Sequence, residues 1–358
     1  MKQDPGHVMI IAEAGVNHNG SFDLAMALVD AAADAGADVV KFQTFRADAL
    51  AMARAPKAAY QDRQIGTGTS QHAMLKALEL PEDWHLALQA RAKARGIGFL
   101  STGFDLDSLG FLETLDLPFH KVPSGELTNA PLLWRIARTR RPLVVSTGMA
   151  TLGEVEQALA VILHAFTHDA EPAGMAEVWQ SWTGAASLAG RVTLLHCTSQ
   201  YPTMMAEVNL RAMQTLAAAF GLAVGYSDHT EGITVPLAAV ALGAGIVEKH
   251  LTTDRALPGP DHAASLEPLA FAAMVAAIRA LSVALGSGRK QPQPSEWDTR
   301  VAARQTLVAA RDIAAGAVLV RQDLTTARAG QGRAANTLWD CIGTRAARAY
   351  KSGEAMDA

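Results

Sequence analysis

Short apolar runs recur along the first 286 or so residues, and each one ends in polar side chains. The runs are "HVMIIAEAG", "ADVVKFQTF", "GIGFLSTGF", "PFHKVPSGE", "PLVVSTGM", "VTLLHCTS", "LAVGYSDHT" and "AGIVEKHLT". Their length and β-branched content predict strands, and most of the segments between them carry apolar residues at helical spacing. In "SFDLAMALVDAAADAG", Ser21 is placed to cap a helix, Leu24, Leu28 and Ala31 or Ala32 to form its stripe, and Gly36 to stop it. Parallel strands need helical crossovers, and eight of them close a sheet, so the alternation predicts an α/β fold, a (β/α)8 TIM barrel.

Two longer segments interrupt the rhythm. Residues 46–80 follow the second strand, where loops line the mouth of a barrel, so this insertion is the better placed for chemistry. Residues 167–190 precede the sixth strand, and their Trp179 and Trp182 read as packing against the outer wall. The composition changes after Gly288. The domain boundaries expected are a barrel over residues 1–286, a Pro- and Gln-rich linker over 287–298, and a compact domain of short strands and turns over 299–358.

The chain of 358 residues is 49% hydrophobic, enough for a large core. Its formal charge of −4 and lack of a basic block argue against nucleic acid. Cys197 and Cys341 are too far apart to suggest a disulfide framework. The N-terminus lacks the pattern of a signal peptide, and the alanine-rich stretch near residue 279 is broken by Arg279. No membrane and a cytoplasmic location are therefore expected.

The polar strand ends are the informative feature. They hold Glu13, Asn17 and His18; Lys41, Gln43 and Thr44; Ser101 and Thr102; Lys121, Ser124 and Glu126; Ser146 and Thr147; His196 and Thr198; Ser227, Asp228 and His229; Glu248, Lys249 and His250. So many polar groups at one rim of a barrel need a ligand or one another, because a buried charge left unpaired costs several kcal/mol. Lys41, Lys121 and Lys249, with the hydroxyls of Thr102, Ser124 and Ser146 and the backbone at Gly125 and Gly148, make a phosphate or carboxylate site. His196 and His229 end neighbouring strands, and two imidazoles plus oxygen donors suit a divalent ion, Mn²⁺ first and Co²⁺ or Mg²⁺ next. His18 and His250 are ambiguous. Cys197 alternates to the face opposite His196 and reads as a packing residue.

"IAEAGVNHNG", "VVKFQT", "KVPSGE", "STGMA", "LLHCTSQYPT", "GYSDHT" and "EKHLTTDRALPGPDHAASLEP" together resemble the sialic acid synthase family, which condenses phosphoenolpyruvate with an N-acylated amino sugar. The tail, with "RAGQG" and "WDCIGTRAARAYKSGEAM", resembles the antifreeze-like (SAF) domain that these synthases carry. The resemblance implies that His196 and His229 bind the metal and that Lys41, Gln43, Lys121, Ser124 and Ser146 hold phosphoenolpyruvate. Glu126 and Arg328 would contact the sugar and Glu13 would handle protons, while Thr102 and Asp228 complete the substrate-binding set. This chain has "STGF" and "ARAG" where the family often has "STPF" and "KRPG".

The acceptor expected is N-acetylmannosamine, giving N-acetylneuraminate. The alternative acceptor is a 2,4-diacetamido-6-deoxy sugar, giving N,N'-diacetyllegionaminate. A Schiff-base aldolase using a strand-end lysine and a non-catalytic sugar-acid binding protein are the competing readings. A last barrel helix of about twenty residues carries the chain roughly 30 Å from the rim, and a linker of about ten residues spans at most ~35 Å. Arg328 is therefore expected to serve a partner's barrel in a domain-swapped homodimer.

Overall fold

All eight runs form strands in the computed structural model, which describes residues 6–358. They are β1 (Met9–Gly15), β2 (Val39–Thr44), β3 (Gly98–Gly103), β4 (His120–Val122), β5 (Leu143–Ser146), β6 (Val192–His196), β7 (Ala223–Asp228) and β8 (Ile246–His250). Every pairing between them is parallel, and β1 pairs with both β2 and β8, which joins the first strand to the last. β3 and β4 end the ladder and lie against each other, β4 being only three residues long. The result is the expected (β/α)8 barrel. Both faces of its strands are buried, as a parallel sheet wrapped in helices requires.

Local sequence sets the crossovers. Ser21 accepts a hydrogen bond from the backbone of Leu24 and starts the helix Phe22–Asp34, while Gly36 takes the left-handed φ of 80° just beyond its end. The stripe that this helix buries is Ala25, Leu28, Val29 and Ala32, one residue removed from the Leu24 register expected. The last barrel helix, Pro268–Leu285, is long and apolar enough to cross a membrane. Its Phe271, Met274, Val275 and Ile278 are instead packed into the barrel core, and Arg279 forms a two-pronged pair with Asp38 at 2.7 and 2.8 Å.

The two insertions differ in role. Residues 46–80 fold into three short helices, Ala47–Leu50, Ala59–Ile65 and Gln71–Ala77. They close over a small apolar cluster of Val16, Phe45, Met74 and Leu78 at the carboxyl end of the barrel. In the second insertion, Trp182 packs against the core while Trp179 stays partly exposed with its ring edge-on to Trp182.

The chain divides into two compact units, the second being Ser287–Ala358. Its core gathers Leu307, Ile313, Leu319, Leu324, Tyr350 and Met356 around an antiparallel pair, β9 (Thr306–Ala309) and β10 (Leu324–Ala327). The stretch expected to be a bare linker contains a helical turn, Pro294–Glu296, leading into the helix Trp297–Ala303. Glu296 reaches back to the Gln293 backbone at 2.7 Å, and Pro294 takes a first-turn position where its missing N–H costs nothing.

Candidate active site

Strand alternation decides which polar side chains enter the barrel. Glu13, Lys41, Gln43, Thr102, Lys121, Ser146, Ser227, His229, Glu248 and His250 line one cavity of about 430 Å³ at the carboxyl ends of the strands. The strand register brings them together: Glu13 sits opposite Lys41 on β2 and opposite His250 on β8, and Gln43 sits opposite Thr102.

The floor is an ionic network. Lys41 Nζ lies 2.6 Å from Glu13 Oε2 and 3.6 Å from Glu248 Oε2, and Lys121 Nζ lies 3.3 Å from Glu248 Oε1. Lys41 also donates to Thr102 Oγ1 at 3.1 Å, Gln43 to Glu13 Oε1 at 2.9 Å, and Ser227 to Glu248 Oε1 at 2.9 Å. Burial works against the Glu248 anion, but Lys121 and Lys41 outweigh it and hold the carboxyl at about 2. Burial dominates at Glu13, where it raises the carboxyl despite Lys41. Two carboxyls sharing one lysine are thus pushed apart, and Glu13 is the one that takes up a proton first.

The histidine pair differs from the one the sequence suggested. His196 faces outward from β6, where Nε2 donates to the Val208 carbonyl at 2.9 Å, the ring meets the edge of Tyr226, and the residue lines a separate surface groove. Cys197, one residue on, faces the cavity. His229 shares the cavity with His250, their ring centroids 5.4 Å apart. His229 Nδ1 donates to the Thr198 carbonyl at 2.7 Å, which leaves Nε2 with its lone pair. His250 Nδ1 is buried without a hydrogen-bond partner. Burial lowers His229 to about 4 and His250 well below its ordinary range, so both rings are neutral at pH 7, the form that binds a metal. The donor set fits a divalent ion with open positions. Among the described residues no group of three or more His, Cys, Asp or Glu forms a closed metal cage.

Outward alternation also removes Asp228 and Lys249 from the substrate set. Lys249 Nζ lies 2.5 Å from Asp228 Oδ2 and also donates to the Thr230 carbonyl, and both side chains are fully buried. Neither lines the cavity. Glu126 follows β4 in a helical turn, accepts from Asn129 at 2.7 Å, and stands outside the cavity lining. Arg328 is exposed at the end of β10 in the second unit. His18 is a buried ring beside Trp84 and Phe42.

A backbone cradle stands where β4 and β5 end. Gly148 N–H donates to Ser124 Oγ at 3.0 Å, and Ser124 Oγ is 3.2 Å from Cys197 Sγ. A Cβ on Gly148 would lie 2.5 Å from Ser199 Oγ and 2.8 Å from Ser124 Oγ, so any larger residue would push these hydroxyls out of place. Ser146 Oγ is buried without a partner and lines the same cavity. Tyr201 and Asp261, which the sequence reading passed over, arrive from loops. Tyr201 lies against His229 with centroids 4.1 Å apart. Asp261 is pushed up to about 7 by burial and the nearby Glu13, and lies 3.7 Å from His250. "QYPT" and "PGPDH" directly follow polar strand ends, which is the signal that would have found them.

Comparison with known proteins identifies the family. Residues 28–290 match the model of the NeuB family. A Legionella pneumophila protein described as N,N'-diacetyllegionaminic acid synthase is 44% identical over 97% of this chain and 92% of its own. One of the same description from Campylobacter jejuni is also 44% identical, over 97% and 98%. The crystal structure of an N-acetylneuraminic acid (sialic acid) synthetase from Leptospira borgpetersenii, in complex with citrate, superposes with a TM-score of 0.67 at 32% identity, covering 82% of this chain and 90% of that one. Barrel, rim and relatives converge: the chain belongs to the NeuB family, that of the sialic acid and legionaminic acid synthases.

Proposed function

We propose that this enzyme condenses phosphoenolpyruvate with a 2,4-diacetamido-6-deoxy sugar aldehyde and water, giving N,N'-diacetyllegionaminate and phosphate. The observation that carries the chemistry is the convergence of Lys41, Lys121, Ser124 and Ser146 on one cavity with the Glu13 carboxyl and the His229–His250 pair. The choice of sugar rests on the 44% identity to two N,N'-diacetyllegionaminic acid synthases, against 32% to the sialic acid synthetase of known structure. N-acetylmannosamine, the acceptor expected first, gives way to the second expectation.

Lys41 and Lys121 neutralise the phosphate and carboxylate of phosphoenolpyruvate, while the unpartnered Ser146 hydroxyl and the Ser124–Gly148 cradle hydrogen-bond the phosphoryl oxygens. His229 and His250 would hold the divalent ion, Mn²⁺ before Co²⁺ or Mg²⁺, and when bound it supplies Lewis-acid polarisation of the sugar aldehyde. The methylene carbon of phosphoenolpyruvate bonds to the aldehyde carbon, whose oxygen takes up a proton to become a hydroxyl, leaving positive charge on the carbon that carries the phosphate. Water adds there and phosphate departs. Glu13, with its raised pKa and its hydrogen bond from Gln43, is placed to take the proton of that water. Arg328 is assigned to the sugar end of a partner subunit's cavity in a homodimer, and the second unit to the SAF domain on the resemblance of its sequence.

Phosphate release from phosphoenolpyruvate across a panel of sugars tests the reading. The 2,4-diacetamido-6-deoxy sugar should give the highest kcat/KM. N-acetylmannosamine as the best acceptor would return the enzyme to neuraminate synthesis.

A further inference from the structure

The cavity has two unlike halves. The ionic network forms one; the insertion after β2 and the loop after β3 form the other, where Leu50, Leu75 and Phe104 present hydrocarbon and the amides of Gln61 and Gln71 also reach the lining. These three are only partly buried and rest on Phe45, Met74 and Leu78, which are buried. Phe45 and Phe104 meet edge to face at 6.1 Å, so the wall is braced rather than loosely folded. An insertion that only needed a core of its own had no reason to turn leucines from two of its helices toward a charged cavity, where Phe104 joins them from the loop after β3.

We propose that Leu50, Leu75 and Phe104 form an apolar subsite that receives the C6 methyl of the sugar and selects against acceptors with a hydroxyl at C6. The inference rests on the reading of the acceptor as a 6-deoxy sugar. A methyl group leaves water for this wall at a gain. A hydroxyl on the same carbon meets no donor or acceptor on Leu50, Leu75 or Phe104 and loses its hydrogen bonds to water against them. Discrimination by an apolar wall against an added hydroxyl is finite, on the order of 10- to 100-fold in kcat/KM.

The test compares 2,4-diacetamido-2,4,6-trideoxymannose with its 6-hydroxy counterpart in the wild type, Leu75→Gln and Leu50→Gln. The KM for phosphoenolpyruvate and the thermal unfolding curve serve as controls. The wild type should prefer the 6-deoxy sugar by about 10- to 100-fold. At least one glutamine variant should lower that ratio several-fold, through both a loss on the 6-deoxy sugar and a gain on the 6-hydroxy one, with phosphoenolpyruvate KM unchanged. A preference that neither folded variant moves would overturn the inference and leave the acceptor reading standing. A wild type that turns over neither diacetamido sugar would overturn both.

Discussion

His229 and His250 end adjacent strands with their ring centroids 5.4 Å apart in the cavity. Their neutral rings, one oriented by the Thr198 carbonyl, set them apart from His196, whose Nε2 is committed to Val208 on the outer face. Replacing either His229 or His250 with Ala should weaken Mn²⁺ binding, followed by calorimetry, by more than about 100-fold, since even outer partners of a ligand are worth about 10- to 100-fold. His196→Ala should leave Mn²⁺ affinity within a few-fold of wild type. The reverse pattern would restore His196 as a ligand.

The Asp228–Lys249 pair is a second consequence of strand phase. Both side chains are fully buried and point away from the cavity, so the pair belongs to stability. Asp228→Asn and Lys249→Met should each cost about 3–5 kcal/mol in urea unfolding, because each strands the other group without its partner. The phosphoenolpyruvate KM of the folded fraction should not change. Lys121→Met should do the opposite, raising that KM with a smaller effect on folding.

Acid should loosen the fold through its buried neutral rings, two of which, His18 and His120, lie outside the His229–His250 pair. His18 is lowered to about 4 by burial and then by His85, and His120 to about 4 by burial and then by the Arg141 charge. The unfolded chain protonates these rings from about pH 6.5 downward, but the folded protein does so only near pH 4. Stability is therefore complete above that upper value and falls with pH across the window, by up to about 3 kcal/mol per ring. Unfolding free energies between pH 7 and 5 should show the decline, and His120→Gln should make it shallower. NMR titration of either ring near its ordinary value would contradict this account.

The barrel was legible because apolar runs and polar strand ends recur together, and the ionic floor because Lys41, Lys121 and Glu13 all lie on such ends. Phase was not legible. Alternation says that His196 and Cys197 take opposite faces, but the inward one is set by the pleat and closure of the barrel. The same parity that sends Cys197 inward sends Lys249 and Asp228 outward and brings His250 into the cavity. Ser227 and His229, like Glu248 and His250, sit two apart, and that spacing on neighbouring strands was the available clue. Tyr201 and Asp261 come from loops, where no periodicity applies.

Arg328 offers a test of the assembly. If it serves a partner's cavity, mixing inactive Lys121→Ala with inactive Arg328→Ala subunits should restore activity, because one site in each mixed dimer holds an intact barrel and an intact arginine. Mixtures that exchange subunits and stay inactive would place the arginine with its own barrel.

The most direct test of the central claim is the stoichiometry of a single reaction mixture of enzyme, Mn²⁺, phosphoenolpyruvate and 2,4-diacetamido-2,4,6-trideoxymannose. The condensation predicts equal amounts of phosphate released, phosphoenolpyruvate consumed and nine-carbon 2-keto acid formed, with no lysine trapped by borohydride. Pyruvate in place of the keto acid, or a borohydride-trapped lysine with activity indifferent to chelator, would contradict it.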